Sequence, residues 1–183
     1  MVAGCGWRRF IHIWDAETGE QLQTLDPDGM SFVVLFSPDG TKLAASGESA
    51  VRMYDLEQRK WVFSKQTDQE RVTGLAFSPD GLVLASAGGG ETVVLWDAET
   101  GDSLLELHTG NRGGDTHPVA FSPSGTLLAS ASDKGKIDVW NLETGESGNV
   151  NVANGRNSAA IAFLDESTFA ISTSFYDLSL IHI

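Results

Sequence analysis

The chain has 183 residues, 41% of them hydrophobic, and a formal net charge of −13 at pH 7. This composition is sufficient for one compact domain with an apolar core, and it argues against disorder. The acidic charge argues against nucleic acid as a partner, because phosphate binding needs a basic stripe. The sequence has no run of eighteen apolar residues and no recognisable signal peptide, so we expect no membrane span and a cytoplasmic location.

Two sequence markers recur along the chain with a shared period of a little over forty residues. The first is an aromatic residue that ends an apolar strand and precedes Asp or Asn, at Trp14, Tyr54, Trp96 and Trp140. The second is a phenylalanine that opens a turn of the Ser-Pro-Asp-Gly type, at Phe36, Phe77 and Phe121, with a weaker copy at Phe163. Two markers that keep the same period predict a tandem structural repeat.

In chain order, the markers divide residues 1–177 into five units. A partial unit covers 1–26, and its Val2 to Gly6 and Phe10 to Asp15 segments match the second and third strands of a complete unit. Complete units cover about 31–65, 71–107 and 116–152, and a second partial unit covers 158–177. We expect the whole region to form one domain.

The unit from 71 to 107 shows the internal pattern most clearly. It contains four short β-rich segments, separated by Ser78-Pro79-Asp80-Gly81, by Gly88-Gly89-Gly90 and by Asp97-Ala98-Glu99-Thr100-Gly101. Proline fixes φ in the first turn, and glycine allows the positive φ that closes it. Short strands joined by tight turns predict an antiparallel meander. Apolar third strands and small-residue second strands favour sheets that stack face to face around an axis.

The motifs FSPDG, LASAG and TVVLWDAETG, with their copies, resemble the WD-repeat family, in the tandem form attached to bacterial signalling proteins. The resemblance implies an all-β fold, a β-propeller of four-stranded antiparallel blades, with about four blades present as three complete and two partial ones. In this family a blade is often held by a hydrogen-bonded His, Ser or Thr, Asp and Trp. The resemblance places that set at His108, Ser130, Asp133 and Trp140. The Trp96 repeat has Ser86 but no preceding His.

The two partial units raise the question of how the ring closes. Propellers of the WD-repeat family resemble closed rings of about seven blades. We expect the chain to be a fragment of a larger ring, completed by missing blades. Two alternatives remain: residues 158–163 supply the first strand of unit 1–26, or a second copy completes the ring. The last six residues, 178–183, match one reading frame of a transposon-end sequencing adapter, so we predict a non-native tail. The alternative is a genuine third strand.

Signatures of enzyme chemistry are missing from the sequence. The run Gly88-Gly89-Gly90 lacks the Lys-Ser or Lys-Thr of a phosphate loop, and the four histidines lack close metal-ligand spacing. We therefore expect a protein that is not an enzyme and that has no catalytic residue, cofactor or metal.

Function is expected in the loops, since loops carry binding residues on rigid scaffolds. By the resemblance, loops between blades and loops between second and third strands share one binding face. The candidate partner-binding residues are Arg71, Arg112, Arg156 and His117, with the arginines suited to acidic peptides. We expect an interaction scaffold or sensor domain within a larger signalling or regulatory protein, with proteins or peptides as partners. Alternatives are a quinoprotein-like ligand-binding or catalytic propeller with its site in missing blades, and a structural subunit of an assembly.

Overall fold

A computed structural model describes residues 1–5, 9–109, 116–132, 135–151, 158–173 and 178–182. These residues form eighteen β-strands arranged in five antiparallel sheets, each a simple meander in chain order. Within these ranges, no helix has the length and apolar character needed to span a membrane.

The sheets follow one another along the chain. The first contains β1 (Val2–Cys5), β2 (Ile11–Trp14) and β3 (Gln21–Leu25). The second contains β4 (Val33–Phe36), β5 (Lys42–Ser46), β6 (Ala50–Asp55) and β7 (Lys60–Gln66). The third contains β8 (Val72–Phe77), β9 (Val83–Gly88), β10 (Thr92–Asp97) and β11 (Ser103–His108). The fourth contains β12 (Thr116–Phe121), β13 (Leu127–Ser132), β14 (Lys136–Asn141) and β15 (Ser147–Asn151). The fifth contains β16 (Ser158–Phe163), β17 (Thr168–Thr173) and β18 (Leu178–His182).

Three four-stranded and two three-stranded sheets confirm the expected fold class, an all-β propeller arc with three complete and two partial blades. The ring is not closed by residues 158–163, because β16 pairs with β17 and the first sheet contains only β1, β2 and β3. Residues 178–182 pair with β17 as a third strand. The sequence analysis gave such a strand as the alternative to a non-native tail. Their non-native origin stays a prediction.

Short polar turns fix the register of each meander. In the turn after β8, the Ser78 hydroxyl donates to the Asp80 carboxylate at 2.6 Å and accepts the Val83 amide at 2.9 Å. Gly81 closes this turn with a φ of 74°. A β-branched or bulky residue would be strained at such a φ, which explains the recurring glycine of the motif.

The core lies between the sheets rather than within them. Four apolar clusters occupy the four junctions between consecutive sheets. Three of the four motif aromatics pack against the preceding sheet: Tyr54 against the first, Trp96 against the second and Trp140 against the third. Small second-strand residues such as Ala85 and Ala129 are fully buried and let the sheets approach closely. A sheet therefore depends on its neighbours for burial.

Candidate functional site

Loops of the second and third sheets meet at one end of the strands. The segment between the sheets, residues 67–71, hydrogen bonds to the loops between second and third strands on both sides. The Thr67 amide donates to the Ser49 carbonyl at 3.0 Å, and the Glu70 amide donates to the Gly89 carbonyl at 3.2 Å. We call this surface, formed by residues 26–32, 47–49, 67–71 and 88–91, the loop face. Its position agrees with the binding face that the family resemblance implies.

A buried polar network holds the 67–71 segment against the third sheet. The indole N–H of Trp96 donates to the Ser86 hydroxyl at 2.9 Å, and that hydroxyl donates to the Gln69 Oε1 at 2.8 Å. The Gln69 Nε2 donates to the carbonyls of Ser86 at 3.0 Å and Thr92 at 2.8 Å. Gln69 is only 1% exposed, so these bonds are shielded from water. The network gives the loop face a rigid base.

Gln69 occupies the place that the resemblance assigns to a histidine before the first strand. Its amide oxygen accepts the Ser86 hydroxyl, as an imidazole nitrogen would, and its amide hydrogens bond two carbonyls in addition. Sequence reasoning recorded the Trp96 repeat as lacking a histidine and did not consider an amide substitute. The position itself, just before the first strand of a repeat that retains Ser86 and Trp96, was the available clue.

The predicted set of the fourth sheet stays a prediction. Ser130 is buried, and its hydroxyl donates to the Pro118 carbonyl at 3.3 Å. Trp140 is buried against the third sheet, whereas His108 ends β11 with an exposed side chain. Asp133 lies outside the described residues.

The other motif aromatics differ in their polar partners. The Tyr54 hydroxyl accepts a hydrogen bond from the Gln23 Nε2 at 2.5 Å, and the Tyr54 ring contacts Trp61 edge-on with centroids 5.1 Å apart. The second sheet has Ala45 where the third has Ser86, so it lacks the Trp96-type network. Trp14 is half-buried on the first sheet.

Gly47 joins three parts of the loop face at one corner. The carbonyl oxygen of Gly47 accepts a hydrogen bond from the backbone amide of Val72, with an N–O distance of 3.0 Å. A Cβ at this position would lie 2.1 Å from the Met30 carbonyl oxygen and 3.3 Å from the Arg52 Nη1. Only glycine fits there, which brings Met30, the Arg52 guanidinium and the start of β8 into close contact.

Arg71 is the predicted partner-binding residue that the structure places on this face. It is exposed, and the Cζ of its guanidinium lies 5.4 Å from the centroid of the Phe32 ring. That distance is typical of a cation–π contact. Arg112 and Arg156 lie outside the described residues, and for His117 only its backbone, in β12, is described. The partner-binding roles predicted for these residues therefore stay predictions.

A second arginine, Arg52, lies beside Gly47 and was missed by the sequence analysis. Arg52 in β6 is only 8% exposed, and its Nη2 donates to the Asp28 carbonyl at 3.3 Å. Its Nε and Nη1 have no hydrogen-bond partner among the described residues. Burial lowers the pKa of Arg52, and the charge of Asp28 partly offsets this effect. The guanidinium nevertheless stays charged, because arginine does not deprotonate in proteins.

The next question is whether the described part of the chain contains a cluster of metal-binding side chains. No group of three or more His, Cys, Asp or Glu side chains there has the arrangement needed to hold a metal ion. The carboxylates of the repeated turns act locally instead. Asp97, for example, accepts the backbone amides of Glu99 and Thr100 at 2.9 Å and 2.7 Å, and these bonds hold its pKa below the usual range.

Comparison with known families identifies two matching stretches. Residues 52–113 match the family described as "Anaphase-promoting complex subunit 4 WD40 domain". Residues 119–141 match the family described as "WD domain, G-beta repeat". The two stretches include parts of the second, third and fourth sheets.

Curated relatives cover more of the chain. The mouse (Mus musculus) protein named "Telomerase Cajal body protein 1" is 34% identical over 129 residues, which cover 63% of this chain and 24% of the relative. "Protein LST8 homolog" of Drosophila melanogaster is 35% identical over 101 residues, 53% of this chain and 32% of the relative. "WD repeat and SOCS box-containing protein 1" of Danio rerio is 38% identical over 93 residues, 49% and 22% respectively. The matched region thus spans a third or less of each of these relatives.

Proposed function

We propose that this chain, which belongs to the WD-repeat family, binds a partner protein through the loop face of its second and third sheets. WD40 domains generally serve as non-catalytic scaffolds that bind other proteins. The observation that carries the proposal is the exposed Arg71 stacked on Phe32, on a segment held by the buried Gln69. A binding residue on a rigid base loses little conformational entropy when a partner docks.

The composition of this corner supports a protein partner. Met30, with 44% of its surface exposed, lies two residues before Phe32, whose ring contacts Arg71 in the loop face. Methionine, aromatic residues and arginine are enriched at protein interfaces, where arginine and aromatic residues often dominate the binding energy. The positive charge of Arg71 also favours a partner segment that carries negative charge at this position.

We also propose that the domain acts within a larger regulatory protein. The name of one relative, "WD repeat and SOCS box-containing protein 1", joins WD repeats to a second module, and the matched region covers only 22% of that protein. In such a larger protein, this domain would bring the bound partner close to a second domain.

Affinity capture with charge-reversed variants tests the proposal. Arg71→Asp should reduce the captured partner at least tenfold, because it removes the cation on Phe32 and repels acidic segments. The matched control is Arg59→Asp, in the turn at the opposite end of the second sheet. Arg59 has a φ of 53°, a conformation that Asp tolerates better than most residues. The control should capture the partner normally. Equal capture by Arg71→Asp and wild type, with equal unfolding midpoints, would contradict the proposal.

A further inference from the structure

Among the described residues, Arg52 forms no ion pair, although another sheet has an ion pair at the equivalent position. Arg52 in β6 lies two residues before Tyr54, and Asp138 in β14 lies two residues before Trp140, at the same register in the meander. Asp138 is buried, and the Lys136 ammonium neutralises it at 2.6 Å. Within the described ranges, the acceptor for Arg52 is the Asp28 carbonyl, at the long distance of 3.3 Å.

This arrangement is energetically unfavourable in the isolated domain. A buried charge is normally paired or fully hydrogen-bonded, and an arginine cannot escape the cost by losing its proton. The carboxylate of Asp28, whose charge acts on Arg52, is exposed and lies 3.4 Å from the Nη2 of Arg9. Because replacing buried ionic groups by apolar residues is often neutral or stabilising, the presence of Arg52 points to a role other than stability.

We propose that Arg52 binds a carboxylate of the partner, from an Asp or Glu side chain in a peptide segment docked on the loop face. The inference rests on the proposed function and specifies the chemistry of the partner. A carboxylate presents two oxygen acceptors to the planar guanidinium, and such pairs are among the strongest charge-assisted hydrogen bonds. Met30 and Phe32, at the same corner, would contact an apolar residue next to that carboxylate.

Two residues of the segment that covers Arg52 have positive φ angles. Asp28 has a φ of 54° and Gly29 a φ of 144°, so two consecutive residues adopt conformations that L side chains rarely take. The absence of a side chain at Gly29 lets the backbone lie against the guanidinium, since a Cβ there would be 3.1 Å from Nη2. A bound carboxylate replaces the Asp28 carbonyl, and segment 28–30 is displaced from the guanidinium as it binds.

The direct test follows the Nε–H resonance of Arg52 by NMR in the full chain. The probes are two peptides, acetyl-Leu-Glu-Leu-amide and acetyl-Leu-Gln-Leu-amide, which differ only in the charge of the central residue. We expect the Glu peptide to shift the Arg52 resonance with an affinity at least tenfold above that of the Gln peptide. Equal responses to the two peptides, or no response to either, would overturn the inference.

A variant pair separates recognition from a structural role. Arg52→Met keeps the length of the side chain and removes the charge, so the unfolding midpoint should stay equal or rise while the Glu-specific response disappears. The matched control, Arg59→Met, should retain the response. A lowered midpoint in Arg52→Met with unchanged capture of the partner would show that Arg52 is structural. If Arg52→Met does not fold, the wild-type titration still decides.

The outcome is independent of the test of the loop face as a whole. Capture that depends on Arg71 but not on Arg52 would refute the role of Arg52 and leave the proposed function standing. Capture that depends on neither residue would refute both.

Discussion

Replacing Gln69 by Ala should destabilise the domain by about 4 kcal/mol. The side chain makes three hydrogen bonds, to the Ser86 hydroxyl and to the carbonyls of Ser86 and Thr92, and a buried hydrogen bond contributes roughly 1 kcal/mol. The variant also leaves a cavity in a site that is only 1% exposed, which adds roughly another 1 kcal/mol. Because Gln69 connects the 67–71 segment to the third sheet, the loss should also loosen the loop that presents Arg71.

Guanidinium denaturation measures this loss, with Gln66→Ala as the matched control. Gln66 is an exposed glutamine at the end of β7, so its replacement should change the free energy of unfolding by less than about 0.5 kcal/mol. A double-mutant cycle on Ser86→Ala and Trp96→Phe should give a coupling of roughly 1–2 kcal/mol, since the Trp96 indole donates to the Ser86 hydroxyl. A Gln69→Ala loss below about 1 kcal/mol would refute the network as the base of the loop.

Two further perturbations test the packing and the turns. Gly88→Ala should lower the unfolding midpoint strongly or prevent folding, because a Cβ at Gly88 would lie 2.0 Å from the Arg71 carbonyl oxygen. The control Gly148→Ala points into open space and should have little effect in the same denaturation assay. Hydrogen bonds from Ser37 and Thr41 lower the pKa of Asp39 from 3.8 to about 2. Its stabilising contribution is therefore complete above pH 3.8 and is lost as the pH falls towards 2, and Asp39→Asn should flatten that decline in thermal unfolding scans.

The repeat architecture could be predicted from sequence because its markers are local. A Ser-Pro-Asp-Gly turn needs a hydroxyl, a carboxylate and a residue that accepts positive φ, and the turn around Ser78, Asp80 and Gly81 uses each in that way. The motif aromatics lie near the ends of apolar third strands, and the structure buries Tyr54 and Trp96 against the preceding sheet. Such rules depend on residues a few positions apart, so a single sequence contains them.

The candidate site was less accessible to sequence reasoning because its contacts join distant segments. Gln69 and Ser86 are 17 residues apart, and the bond between them depends on how the inter-sheet loop returns over the sheet. Arg52 lies in the apolar stretch Ala50-Val51-Arg52-Met53-Tyr54, where an arginine commonly reaches solvent. Its burial comes from the approach of Met30 and Gly47, which no local pattern encodes.

The second and third sheets use equivalent positions for opposite purposes. In the third sheet, Ser86 lies opposite Val94, and the polar network with Trp96 provides stability beneath the loop face. In the second sheet, Ala45 lies opposite Arg52, so the same strand pair lacks the network and contains a buried guanidinium with two unsatisfied nitrogens instead. A residue that stabilised the fold would have its donors satisfied within the domain, as Gln69 does. The unsatisfied donors of Arg52 therefore agree with the proposed role of Arg52 in binding rather than in folding.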